Sequence, residues 1–322
     1  MLTVQKFGGS SVAGEQGLTR TAGLIAAEHS RGRAVIAVVS AEGDTSDILT
    51  DRARGIMPEP PPRELDALLS TGELSSAALL AIKLRSMGLS CVSLSGRQAG
   101  IRTDSVHGSA SITDIDTTRL CSELNAGRTV IVAGFQGVDG ADDITTLGRG
   151  GSDYTATALA GALNASLCEI FTDVDGIYTA DPRLIPEAEL LRTIDIRDML
   201  CLSSHGSQVL QRRCLEEALR SGTDIVLRSS LTASPGTLVT RLSERPAFAG
   251  VTRDASEGRV YLVGRGADEA ALGLALTVLS DAGLSPRDTV LTEGALGIGL
   301  AGKELLPGMR AIHGRFLRAD SR

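Results

Sequence analysis

The chain has 322 residues and a formal net charge of −7, with 42% hydrophobic and 22% charged residues, the balance of a soluble globular protein. An acidic chain without a basic block is expected to have no nucleic-acid partner, because a phosphate backbone is met by clustered Lys and Arg. Tryptophan is absent, so the core must be built from Val, Ile, Leu and Ala, and 37 glycines predict many tight turns or close backbone approaches.

Read in chain order, residues 2–7 are a predicted strand that opens the chain with no signal peptide before it. Further strands are predicted at 34–40, 90–95, 129–134, 165–172 and 224–228. Helical patterns fall at 17–29, 70–87, 116–126, 154–164, 196–202 and 207–221. This alternation is the signature of an α/β fold, a mostly parallel central sheet sandwiched by helices. Pro58 to Pro62 reads as a rigid connector, and residues 100–114 as a hairpin. Residues 240–246 read as a linker. Beyond it a strand at 258–264, a helix at 269–282, one or two strands within 289–300 and a helix at 305–316 make a small βαββα unit. The expected domains are 1–242 and 243–322. The longest apolar runs, such as 129–135, are too short to cross a bilayer, so a cytoplasmic protein is expected. Five cysteines without C-x-x-C spacing read as small buried hydrophobes, and neither they nor the four scattered histidines predict a metal site.

Three motifs carry chemistry. Lys6-Phe7-Gly8-Gly9-Ser10-Ser11 places a glycine pair after a strand and before a helical segment, where backbone N–H groups and a helix N-terminus can meet an anion. Gly148-Arg149-Gly150-Gly151-Ser152-Asp153 puts a cation, an anion and a hydroxyl among glycines in one loop. Thr172 to Arg183 leaves a strand with several aspartates, Tyr178 and Arg183; it lacks the ligand spacing of an EF-hand, and nucleotide or Mg²⁺ contacts fit better.

Together with Ser40-Ala41-Glu42-Gly43-Asp44-Thr45, Arg63-Glu64-Leu65-Asp66, Ser70-Thr71-Gly72-Glu73, Gly96-Arg97-Gln98-Ala99-Gly100, Gly134-Phe135-Gln136-Gly137, Arg228-Ser229-Ser230 and Pro235-Gly236-Thr237, these motifs resemble, in order, those of aspartokinases in the amino-acid kinase superfamily. The resemblance implies the amino-acid kinase fold and transfer of the γ-phosphoryl group of ATP, with Mg²⁺, to the side-chain carboxylate of L-aspartate. It implies that Lys6 stabilises the transferring group, that Gly8, Gly9 and Ser10 form the phosphate loop, and that Asp153 arranges the lysine. Ser40, Thr45, Glu73, Arg149, Gly150, Gly151 and Ser152 would hold the substrate, with Glu73 on its α-amino group and Arg149 on a carboxylate. Thr172, Asp173, Tyr178 and Arg183 would touch the nucleotide. A carboxylate acceptor is already ionised at neutral pH, its pKa being about 4, so the absence of a candidate general base is no obstacle.

Two departures qualify the resemblance. Gln208, in Gly206-Ser207-Gln208-Val209-Leu210, stands where relatives carry a lysine reaching the nucleotide phosphates. The C-terminal unit has room for one ACT-like module where relatives have two, and Gly266-Ala267-Asp268-Glu269 replaces the effector loop. A homodimer free of lysine and threonine control is therefore expected. The alternative readings are a kinase for a modified aspartate or related amino-acid carboxylate, and a weakly active binding homologue.

Overall fold

The structure, a computed structural model, describes residues 1–317. The chain forms two compact units that interleave in sequence: Met1–Asp175 with Glu216–Pro235, and Gly176–Leu215 with the chain from Gly236 onward.

In the first unit, parallel strands run in the order Ile225–Ser229, Leu167–Thr172, Leu2–Phe7, Ala34–Val39, Thr129–Ala133, Cys91–Leu94. Ala34–Val39 and Thr129–Ala133 are almost continuously apolar because helices cover both faces of the sheet. On one face Phe7, Val35, Ala37, Val39 and Ile131 pack with Ala22 and Ile25 of helix Gly14–Ser30 and with Ala77, Leu80 and Leu84 of helix Pro62–Ser86. The opposite face receives helix Gly151–Ala162, buried along residues 151–160. Helix Pro62–Ser86 is apolar and long enough to cross a membrane by composition alone, yet it supplies this core. Pro62 belongs to that helix rather than to the connector, at the first position, where its missing N–H leaves nothing unpaired.

The hairpin expected at 100–114 is present as the antiparallel pair Ile101–Thr103 and Ile112–Ile115, extended through Gln136–Val138 to Ile144–Thr146. Helix Thr45–Ile56 has no counterpart among the predicted elements. It buries none of its residues, so it shows no apolar stripe for a periodicity reading to find.

The second unit pairs Thr193–Asp195 in parallel with Thr237–Thr240, and Asp195 caps helix Ile196–Ser204 by accepting from Arg197 N–H. Its larger sheet is antiparallel, in the order Gly250–Asp254, Arg259–Val263, Ala295–Gly299, Thr289–Thr292. Leu279 of helix Glu269–Asp281 and Met309 and Ile312 of helix Leu305–Phe316 pack against Val260, Leu262, Leu296 and Ile298. The arrangement is ββαββα: a strand, Gly250–Asp254, precedes the expected βαββα. The helix expected from residue 207 begins only at Arg212. Gly206, at φ 110°, runs so close to Arg253 that a Cβ would lie 2.2 Å from its carbonyl oxygen, and residues 206–210 bend instead of coiling. Cys91, Cys168 and Cys214 are buried as expected and Cys201 is partly buried, but Cys121 is exposed.

Candidate active site

Lys6 lies at the end of strand Leu2–Phe7, on the face opposite Phe7. The chain then turns through Gly8 into the short helix Gly9–Val12. A Cβ on Gly8 would sit 3.5 Å from Lys6 Nζ, so the ammonium lies directly over this turn. A Cβ on Gly9 would come within 2.5 Å of the Ala41 carbonyl oxygen, and no side chain fits there. Gly43 N–H donates to Gly9 O at 3.2 Å, joining this loop to the one after strand Ala34–Val39.

The second glycine loop approaches from the other side. Gly148 and Gly150 adopt φ of 74° and 70°, and helix Gly151–Ala162 starts immediately, with Ser152 and Asp153 in its first turn. Asp153 Oδ1 lies 2.7 Å from Lys6 Nζ, side chains 12% and 11% exposed. The contact is a close ion pair by distance, without the alignment of a hydrogen bond. Phe135 also takes a left-handed φ, 69°, unusual for a residue with a side chain. Its N–H donates to Thr155 Oγ1 at 3.1 Å and its carbonyl accepts from Leu147 N–H at 2.9 Å.

These loops enclose a cleft of about 510 Å³. Of the residues singled out in the sequence, Lys6, Gly8, Gly9, Ser40, Glu73, Arg149, Gly150, Gly151, Ser152 and Asp153 line it. Glu73 comes from the middle of helix Pro62–Ser86; its Oε1 accepts from Ala41 N–H at 3.0 Å, while its buried Oε2 has no hydrogen-bond partner among the described residues. Burial pushes the Glu73 carboxyl up to about 7, against the pull of the Ala41 amide. Arg149 is exposed at the rim.

Ser10 and Thr45 do not line the cleft. Ser10 is exposed on the short helix, and the Thr45 hydroxyl donates to Glu42 O at 2.6 Å to set the turn before helix Thr45–Ile56. The first turn of that helix instead presents Ser46 and Asp47, which lie outside the motifs; Gly148, Ala41, Gly43 and Phe135, motif residues to which the resemblance gives no role, complete the lining. Thr172 ends strand Leu167–Thr172, its hydroxyl donating to Asp173 Oδ1 at 3.0 Å. Tyr178, Arg183 and Gln208 belong to the second unit: Tyr178 bridges to Leu190, Arg183 pairs with Asp181 at 2.9 Å, and Gln208 is exposed in the bend before helix Arg212–Ser221.

A second cleft in the first unit, about 360 Å³, is lined by Arg63, Arg97, Asp142 and Asp143 among others. Its charges satisfy one another: Arg63 grips Asp143 with two hydrogen bonds, at 2.8 and 2.5 Å, and Arg97 pairs with Asp142. The cleft at Lys6 differs: among the described residues, neither Glu73 Oε2 nor the exposed Arg149 guanidinium has a hydrogen-bond or ion-pair partner. Among the described residues, no group of three His, Cys, Asp or Glu side chains is placed to hold a metal ion.

The geometry has parallels in known proteins. The aspartokinase of Mycobacterium tuberculosis is 48% identical over 269 residues, which are 82% of this chain and 64% of that protein, so the chain spans under two thirds of the relative's length. The aspartate kinase structure from Synechocystis aligns with a TM-score of 0.68 at 29% identity, over 98% of this chain and 69% of the other. E. coli aspartokinase III in complex with aspartate and ADP aligns with a TM-score of 0.71 at 25% identity, over 97% and 84%. The profile of the amino acid kinase family matches residues 1–229, and the chain belongs to that family.

Proposed function

We propose that the chain transfers the γ-phosphoryl group of magnesium–ATP to the side-chain carboxylate of L-aspartate. The observation that carries this reading is the cleft in which Lys6, Asp153, Glu73 and Arg149 meet, with one Glu73 oxygen buried and unpaired. A carboxylate oxygen of the acceptor attacks the γ-phosphorus; its new O–P bond forms as the bond to the β,γ-bridging oxygen breaks, leaving 4-phospho-L-aspartate and ADP. Both reactants are anions, so the work is charge neutralisation and alignment rather than proton removal. Lys6 stabilises the phosphoryl oxygens, and Asp153 holds the ammonium in place. Gly8 and Gly9 offer backbone amides, Arg149 grips the α-carboxylate bidentately, and Glu73 pairs with the α-ammonium, selecting against acids that lack an amine. Ser40, Gly150, Gly151 and Ser152 complete the acceptor pocket. Thr172, Asp173, Tyr178, Arg183 and Gln208 are assigned to the nucleotide, Gln208 giving a neutral and weaker contact than a lysine.

The test is ADP release and hydroxamate formation across a panel of amino acids. L-Aspartate should be turned over far better than succinate, and absence of turnover with every amino acid would refute the reading. We further propose a homodimer, with residues 1–242 catalytic and 243–322 ACT-like and unresponsive to lysine or threonine. Asp268, within the segment that replaces the effector loop, is committed to capping helix Glu269–Asp281 through Ala271 N–H at 2.9 Å. Inhibition by either amino acid at millimolar concentration would refute the last point.

A further inference from the structure

The loop Ala41–Thr45 carries a carboxylate that the proposed reaction does not use. Glu42 does not line the cleft, and its Oε1 accepts from Gly14 N–H at 2.6 Å. Gly14 opens helix Gly14–Ser30, and the preceding residue, Ala13, has no side chain to cap it. The first amides of a helix lack partners within it and carry partial positive charge. A carboxylate reaching across from another loop supplies that cap.

The two loops meet a second time through Gly43 N–H and Gly9 O, where Gly9 is too close to Ala41 for any side chain. On its other side the same loop grips the acceptor pocket. Ala41 N–H donates to Glu73 Oε1 at 3.0 Å, and the Glu42 carbonyl accepts from Thr45 N–H at 3.0 Å just ahead of Ser46 and Asp47. Glu42 thus sits where the proposed amino-acid pocket and the proposed phosphate loop are joined.

We infer that Glu42 is a positioning residue. By tying its loop to the start of helix Gly14–Ser30, it fixes the Glu73 side of the pocket against the Gly8–Val12 turn and so sets the approach of acceptor to phosphoryl group. The inference rests on the function proposed above. Loosening a support that aligns reacting atoms lowers turnover more than it lowers stability.

The test compares Glu42→Ala and Glu42→Gln in the full chain. Glu42→Ala should lower kcat about tenfold and raise the acceptor KM, while Glu42→Gln, which keeps an accepting oxygen, should recover most of kcat. A role confined to helix capping would lower the thermal midpoint and leave kcat and KM at wild-type values, and that result would overturn the inference. Hydrogen exchange of the unliganded protein gives a second arm independent of turnover. Glu42→Ala should speed exchange at both Gly14 and Gly43 amides, and unchanged exchange at Gly43 would equally overturn it. Failure of the wild-type chain to phosphorylate any acceptor would refute the proposed function instead, and the exchange arm would still decide whether Glu42 joins the two loops.

Discussion

Two regions treat a buried carboxylate in opposite ways: the Asp195 and Asp198 pair of the second unit, and Glu73 in the cleft of the first, whose other buried carboxylates, such as Asp66 and Glu169, are paired. In the second unit Asp195 and Asp198 have fully buried side chains, and each is paired. Arg197 donates to both oxygens of Asp195 at 2.8 Å, Leu242 N–H adds another bond at 2.9 Å, and Arg245 clasps Asp198. Burial alone would raise the Asp195 carboxyl, yet Arg197 and the amides of Leu242 and Arg197 outweigh it and hold the group at about 2. In the first unit Glu73 receives the Ala41 amide on one oxygen and, among the described residues, no partner on the other, so burial prevails and the carboxyl rises to about 7. Carboxylates satisfied by their own chain hold structure together. A buried one left half-satisfied inside a cleft, such as Glu73, is the kind of group that the proposed function assigns to a ligand.

The largest expected effect breaks the ion pair at the centre of the cleft. Lys6→Ala should reduce kcat about a thousandfold if the ammonium stabilises the transferring group. It also strands Asp153 in a nearly buried position and should destabilise the fold by about 3 kcal/mol. Lys6→Ala/Asp153→Asn should regain the stability but not the turnover, separating chemistry from folding; turnover returning with stability would refute the catalytic role. Arg245→Ala makes the contrasting cut in the second unit. It should cost about 3 kcal/mol by leaving Asp198 buried without its cation, measured by denaturant unfolding. Aspartate KM should stay unchanged, and a stability loss well below this would show that the second unit does not depend on its buried pairs.

The parts of the site legible in the sequence are those where composition itself is unusual. Gly8-Gly9 after a strand and the Gly148–Asp153 loop could be read as anion-binding turns, because only close backbone approach or left-handed φ explains such glycines. Ser46 and Asp47 lie outside every motif, and Phe135 lies in one without an assigned role, because their placement at the cleft depends on distant contacts. Gly9 must meet Ala41, and Gly151 must meet Phe135, where a Cβ would lie 2.8 Å from the ring, before these side chains turn toward the cleft. Thr45 lies just outside the cleft for a local reason: its hydroxyl donates to Glu42 O within its own turn. Helix Arg212–Ser221 begins five residues later than the sequence predicts, because Gly206 pressed against Arg253 forces a bend that a local pattern cannot reveal. Strand Gly250–Asp254 has no strong alternation of its own and gains its identity from pairing with Arg259–Val263.

Arg149 gives a smaller effect on binding. It is exposed and spends no bond on the protein among the described residues, so Arg149→Ala should leave the unfolding transition where it is and raise aspartate KM about a hundredfold. Arg149→Lys should recover only part of this, since an ammonium cannot grip a carboxylate with two parallel bonds. An unchanged KM would remove Arg149 from the acceptor pocket and leave Glu73 as the pocket's sole selective charge.

The finest test uses pH. Folded Glu73 holds its proton up to about 7, whereas the unfolded glutamate releases it near 4.5. Between those values the folded state binds more protons, so the stability Glu73 contributes is fully present below 4.5 and is lost as pH rises through about 7. Acceptor binding runs the other way, because an ammonium needs the ionised carboxylate. Aspartate affinity should therefore weaken about tenfold for each pH unit below that folded value and level off above it. Glu73→Gln should remove both slopes, with weak and pH-independent acceptor binding and a flatter stability profile over the same window. Asp195 of the second unit, held at about 2, is already ionised throughout this range and contributes neither slope. A wild-type acceptor affinity that stayed flat through this window would mean that Glu73 does not meet the ammonium, and that its unpaired oxygen serves some other contact.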